Sequence, residues 1–127
     1  MAERLLLDTD VLVEYLRGRP KAIEYLEGLA SDLSISVISV AELFAGVRGN
    51  EEDRALRQFL LAFSILPVTE KVARLGGLYG REYRPSHGTG LADALIAATA
   101  EENGLSLVTF NRRHFPIVSE LVVPYER

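Results

Sequence analysis

Apolar residues along this chain fall into two patterns, short unbroken runs and longer stretches with helical spacing, and the two alternate. Leu5, Leu6 and Leu7 form the first run and read as a fully buried strand. A short helix over residues 11–16 follows, and Gly18 and Pro20 end it. The pattern next predicts a helix over 21–29, a strand rich in β-branched residues over 33–38, and a helix over 40–47 closed by Gly49 and Asn50. Asn50 is placed to cap a further helix, whose first turn carries Glu51, Glu52 and Asp53 at the positive end of the helix dipole. Leu56, Phe59, Leu60 and Phe63 then fall on one helical face.

Residues 64–68 read as a third strand, and Thr69 caps a helix with Val72, Leu75, Tyr79 and Tyr83 on one side. Pro85, Gly88 and Gly90 mark residues 84–90 as a loop. A helix over 91–103 stops at Gly104, residues 105–108 form a fourth strand, and 121–123 a short fifth. Short apolar strands alternating with helices imply βα units and a parallel sheet covered on both faces. Ligands of such sheets bind beyond the carboxyl ends of the strands, near a switch in strand order. Polar residues that directly follow a strand are therefore the first candidates for chemistry.

Length and composition narrow the class. A chain of 127 residues fits a single domain over 1–127, and 48% apolar with 25% charged residues is ordinary for a globular protein. Without cysteine, a disulfide framework or a thiolate zinc site is excluded. Glu3 and Arg4 precede the first apolar run, unlike a signal peptide, and the long apolar stretch over 88–100 is shorter than the ~20 residues that span a bilayer. These features predict a soluble, cytoplasmic protein with no membrane partner. The net charge of −4 argues against binding polyanions through an overall positive field, but a local metal site would supply positive charge of its own.

Three carboxylates stand out. Asp8 directly follows the first strand; its structural alternative is a helix cap, a task that Asp10, just before the helix, suits better. Glu42 is the single charge between Ser34 and Val47, and its alternative is the capping box formed with Ser39. Asp93 is the single charge in GLADALIAATA, and its alternative is a first-turn acid favoured by the helix dipole. Carboxylates gathered at one sheet edge raise one another's pKa unless a divalent cation lies among them. Oxygen ligands suit Mg²⁺ or Mn²⁺.

The segments LLLDTDVLVEYL, SVISVAELFAGV, GLADALIAATA and LSLVTFNRRHF occur in the order and spacing of the PIN domain. The chain resembles the VapC-type toxins of bacterial and archaeal toxin–antitoxin pairs over nearly its whole length. The resemblance implies an α/β, three-layer fold whose parallel, five-stranded sheet is flanked by helices. It also implies a Mg²⁺-dependent endoribonuclease, with Mn²⁺ able to substitute, that cleaves RNA by metal-activated water and leaves 5′-phosphate and 3′-hydroxyl ends. The family's first three acids fall on Asp8, Glu42 and Asp93, the metal ligands. Its fourth falls on Asn111, a departure that removes a charge; the alternative for Asn111 is a cap for the turn that follows. Thr109 matches the family's hydroxyl near the acids, with a strand-end turn as its alternative.

Arg81, Arg84, His87, Arg112 and Arg113 are candidates for guiding the RNA backbone, against the plainer reading of solvated surface. The partners implied are RNA, a cognate antitoxin and a second copy of the chain. Leu12, Leu16, Tyr25, Leu26 and Phe63 could line an antitoxin groove or simply build the core. An inactive PIN-like scaffold is the rival function, kept open by Asn111. Haloacid-dehalogenase chemistry fits LLLDTDV but expects a later Lys, and none follows Lys71. A receiver domain would need an Asp after the third strand, where only Glu70 is offered. P-loop, dinucleotide and serine-hydrolase motifs are absent from the sequence.

Overall fold

The three consecutive leucines lie at the centre of the sheet. In the computed structural model, which describes residues 4–29, 32–116, 118 and 120–127, the strands are β1 (Leu5–Leu7), β2 (Leu33–Ser36), β3 (Ser64–Leu66), β4 (Ser106–Val108) and β5 (Leu121–Val122). They form one sheet in the order β3-β2-β1-β4-β5, with every pairing parallel. The helices are α1 (Thr9–Leu16), α2 (Pro20–Glu27), α3 (Val37–Ala45), α4 (Asn50–Leu60), α5 (Glu70–His87) and α6 (Leu91–Glu102), with a 3₁₀ turn at Arg112–His114. The predicted fold class stands.

Side chains alternate across a strand, so β1 feeds two cores at once. Leu5 and Leu7 pack with Val11, Leu12, Leu26, Leu43, Leu56 and Leu60 from α1 to α4. Leu6 points the other way, to Ile96, Ala97 and Ala100 of α6, with Leu107 and Phe115. Burying each leucine contributes about 1.5–3 kcal/mol, which makes the run of three a firm anchor for whatever follows it. On the second face α5 and α6 approach closely: a Cβ added at Gly76 would lie 2.7 Å from Leu95 Cδ2 and 3.2 Å from Leu95 Cα.

Several local expectations shift by a turn or less. The apolar run over 33–44 carries no breaker, and α3 begins at Val37. Ser36 is its cap, with Oγ accepting from the Ile38 amide at 3.0 Å. The capping box from Ser39 to Glu42 therefore does not form, because both residues already lie inside the helix. Asp8, not Asp10, occupies the N-cap position of α1, since the helix starts at Thr9. Gly49, at φ 107°, precedes α4 in place of an Asn50 cap. Thr69 caps α5 as predicted, its Oγ1 accepting from the Val72 amide at 3.1 Å. The 84–90 loop is shorter than expected: α5 runs through Pro85 to His87 and closes at Gly88, φ 67°, whose amide bonds to the Arg84 carbonyl. Proline forfeits one helical hydrogen bond, which is tolerated in a last turn that glycine then terminates.

The chain leaves β1 for β2 and β3, then crosses back to β4 on the opposite side of β1. The switch in strand order thus falls between β1 and β4, the place where open parallel sheets bind ligands.

Candidate active site

Asp8 leaves the sheet at that switch. Its amide donates to the Val108 carbonyl at 2.9 Å, extending the ladder one residue past β1 and setting Asp8 beside the chain leaving β4. The side chain is buried, with Oδ1 accepting from the Thr9 amide at 2.8 Å and Oδ2 from the Thr109 hydroxyl at 2.7 Å. Burial first, and then the neighbouring Asp10 charge, push the Asp8 carboxyl up to about 7 against the opposing pull of these two hydrogen bonds; Asp93 adds a smaller upward push.

Asp10 is not a cap. Its Oδ2 reaches across to accept from the Phe110 amide at 3.1 Å, and lies 3.3 Å from Thr109 Oγ1. A hydroxyl has one hydrogen, so Thr109 donates to the nearer Asp8 while its oxygen accepts from the Asn111 amide at 3.0 Å. Asp10 Oδ1 is buried without a hydrogen-bond partner among the described residues, and burial is the main reason its carboxyl is raised above the usual range. Thr109 therefore holds one of the acids.

Glu42 joins the site through Thr9. The Thr9 hydroxyl donates to Glu42 Oε1 at 2.6 Å, so the Ser39 hydroxyl, 2.8 Å away, donates to Thr9 in turn. Asp93, in the first turn of α6, bonds through Oδ2 to His114 Nδ1 at 3.1 Å. The buried Thr89 hydroxyl donates to the His114 carbonyl at 2.9 Å and ties the 3₁₀ turn to the start of α6. Asn111 is exposed and makes no capping hydrogen bond with its side chain.

Sequence reasoning misses four members: Thr9, Asp10, Ser39 and His114. The sequence offers Asp10 as a helix cap and Ser39 only through the capping-box alternative for Glu42, and gives Thr9 and His114 no role. No local pattern signals His114, whose partner Asp93 lies 21 residues away.

Asp8 and Glu42 are thus linked through Thr9, and Asp93 stands near enough to act on Asp8 electrostatically. Among the described residues, however, no three Asp, Glu or His side chains are gathered tightly enough to hold one ion. The donor set still fits Mg²⁺ or Mn²⁺, because both favour oxygen and Mg²⁺ is commonly held by one or two carboxylates plus water. Glu42 Oε2 and Asp93 Oδ1 each lack a hydrogen-bond partner among the described residues.

Arg81 and Arg84 line a groove of about 300 Å³ with Gly77, Gly80, Pro85, Thr89 and Leu91. Arg112 and Arg113 are exposed on the 3₁₀ turn, and none of these four arginines forms a salt bridge among the described residues. His87 Nδ1 is instead engaged by Ser86 Oγ at 2.7 Å. Of the apolar residues considered for an antitoxin groove, Leu12 and Leu26 are core, Tyr25 and Phe63 pack against it, and Leu16 is exposed.

The family model for the PIN domain matches residues 5–121. The chain belongs to the PIN domain family. This PIN domain is 44% identical over 124 residues to ribonuclease VapC10 of Mycobacterium tuberculosis, covering 95% of this chain and 92% of that protein. It is 43% identical to ribonuclease VapC19 of the same organism, over 94% of this chain and 98% of the relative. Its fold matches a toxin–antitoxin complex from Klebsiella pneumoniae with a TM-score of 0.84 at 30% identity, covering 97% of this chain and 99% of the other. It also matches FitAcB from Neisseria gonorrhoeae with a TM-score of 0.76 at 31% identity, over 97% and 99% of the two chains.

Proposed function

We propose that this PIN domain is a Mg²⁺-dependent endoribonuclease, Mn²⁺ substituting, that acts as the toxin of a toxin–antitoxin pair. The observation that carries the reading is the buried Asp8 carboxylate, at the switch between β1 and β4, with Glu42 and Asp93 presented beside it. The likeness to VapC ribonucleases and to a toxin–antitoxin complex supports both halves of it.

Asp8, Glu42 and Asp93 would hold the cation. When bound, it supplies the positive charge that favours an attacking hydroxide and offsets charge developing on the phosphoryl oxygens. The rest is the work of the chain. Thr109 and the Thr9 amide fix both oxygens of Asp8, Thr9 orients Glu42, and His114 orients Asp93. Asn111, exposed at the mouth, is suited to hydrogen-bonding a water or a phosphate oxygen. Arg81, Arg84, Arg112 and Arg113, free of salt bridges among the described residues, offer cations to the RNA backbone. His87 borders the same loop.

A cognate antitoxin would be the protein partner. A second copy of the chain would meet the exposed Leu78 and Leu91 beside the Gly77 groove. The proposed place of action is the cytoplasm; among the described residues no helix is long and apolar enough to cross a membrane. The test is cleavage of a mixed RNA pool by the purified protein with Mg²⁺, with a chelator, and in Asp8→Asn. Cleavage lost in both controls supports the nuclease, whereas cleavage that survives Asp8→Asn sinks it.

A further inference from the structure

The segment after β5 is joined to the candidate site by a chain of contacts that the nuclease reading does not use. Tyr125 packs edge-on to Phe110 and to Tyr25, with ring centroids 5.0 and 6.2 Å apart. The Arg127 guanidinium lies 4.4 Å from the centre of the Phe110 ring and is pinned to Glu14 of α1 at 2.9 Å. Lys21 of α2 donates to the Glu126 carbonyl at 3.2 Å. Residues 125–127 thus form a strap across α1 and α2 that ends on Phe110.

Phe110 joins the strap to the candidate site. Its ring takes the strap, while its amide donates to Asp10, whose charge Arg127 also favours. On one side of it Thr109 holds Asp8, and on the other the Asn111 amide holds Thr109. The Thr109 amide still donates to the Val122 carbonyl at 3.0 Å, so the chain leaves the sheet after Thr109, and the placement of Phe110 and Asn111 depends on such side-chain contacts.

We infer that Arg127 and Asp10 are positioning residues for Asp8: together they fix the turn 109–111, and that turn presents the Thr109 hydroxyl to the Asp8 carboxylate. The inference rests on Asp8 belonging to the nuclease site. Groups that position a metal ligand typically change metal affinity ~10–100-fold when removed, so the strap should be felt at the cation although it touches none of the proposed ligands. Asp10 needs only to accept a hydrogen bond, so Asn should replace it where Ala should not.

Amide hydrogen exchange by NMR and Mn²⁺ affinity by electron paramagnetic resonance would be measured for wild type, Arg127→Ala, Asp10→Ala and Asp10→Asn. Exchange at Phe110 and Asn111 should rise about tenfold in Arg127→Ala and further in Asp10→Ala, and Mn²⁺ affinity should fall about tenfold or more in both. Asp10→Asn should restore protection and keep affinity within about threefold of wild type. The Val72 amide, bonded to the distant Thr69 cap, serves as the control for general loosening. Unchanged exchange at Phe110 and Asn111 in Arg127→Ala overturns the inference, as does faster exchange with unchanged Mn²⁺ affinity. Should Asp10→Ala not fold, the exposed Arg127 variant decides alone. If wild type bound no Mn²⁺, with RNA present as well as without, the nuclease reading would fall, and the exchange data would still judge the strap.

Discussion

The acids on the two sides of the candidate site are held in different ways. Asp8 is buried, wired to Thr9 and Thr109, and crowded by the half-buried Asp10. Glu42 is exposed and Asp93 partly exposed, and each leans on one neighbour, Thr9 or His114. The buried side is set by the sheet, where β1 and β4 run in register up to Leu7 and Val108. The open side is set by helices, with Glu42 well inside α3 and Asp93 in the first turn of α6, and each side chain keeps one oxygen without a hydrogen-bond partner among the described residues. A fixed carboxylate whose ionisation is opposed by its surroundings, facing two with such an oxygen, is an arrangement that a cation would complete: the ion would relieve the repulsion on one side and engage those oxygens on the other.

Substitution should break that asymmetry most strongly at Asp8. The unfolded carboxyl ionises near 3.8 and the folded one near 7, so between those values the folded protein keeps a proton that the unfolded chain has lost. Stability of the metal-free protein therefore falls as pH climbs through this window, by about 4 kcal/mol at full extent if Asp8 acts alone. The raised Asp10 carboxyl acts in the same sense. Asp8→Asn should flatten the slope and raise the melting temperature of the metal-free protein at pH 8, while RNA cleavage is lost. Thr109 could then accept from the new amide and turn its hydrogen to Asp10, 3.3 Å away. Thermal melts of both proteins from pH 4 to 8 in chelator would check this, and parallel curves would refute it.

Thr109 comes next. Thr109→Val removes a buried hydroxyl that serves Asp8 and the Asn111 amide, and should cost about 1–3 kcal/mol in chemical unfolding, with Thr109→Ser recovering most of it. Gly76 tests the seat of Asp93 from below. Gly76→Val would crowd Leu95, two residues along from Asp93, and should cost about 1–3 kcal/mol with activity reduced but not abolished. On the open side the effects should be smallest for stability. Glu42→Gln should leave the melting temperature nearly unchanged and remove most cleavage, and a large loss of stability would show that Glu42 is structural.

Much of this was legible in the order of apolar runs. β1, the helix face from Leu56 to Phe63 and the Thr69 cap depend on neighbours a few residues away, the range that a local pattern encodes. Asp8, Glu42 and Asp93 stand out as candidates because each interrupts an apolar stretch. The start of α3 was harder, since Ser36 and Ser39 sit in one continuous apolar segment and either could cap. The roles of Asp10 and His114 were out of reach for a different reason: their partners lie 100 and 21 residues away, joined only by the strand order.

The most direct test of the account is a calorimetric titration of Mn²⁺ into metal-stripped protein beside Asp93→Asn. Saturable binding by the wild type that disappears in the variant is the predicted result, since Asp93 belongs to the proposed cation site yet leans on one neighbour. Binding of equal affinity in both proteins would contradict it, and absence of binding in both, with RNA present as well as without, would leave the PIN fold here without a metal-dependent nuclease.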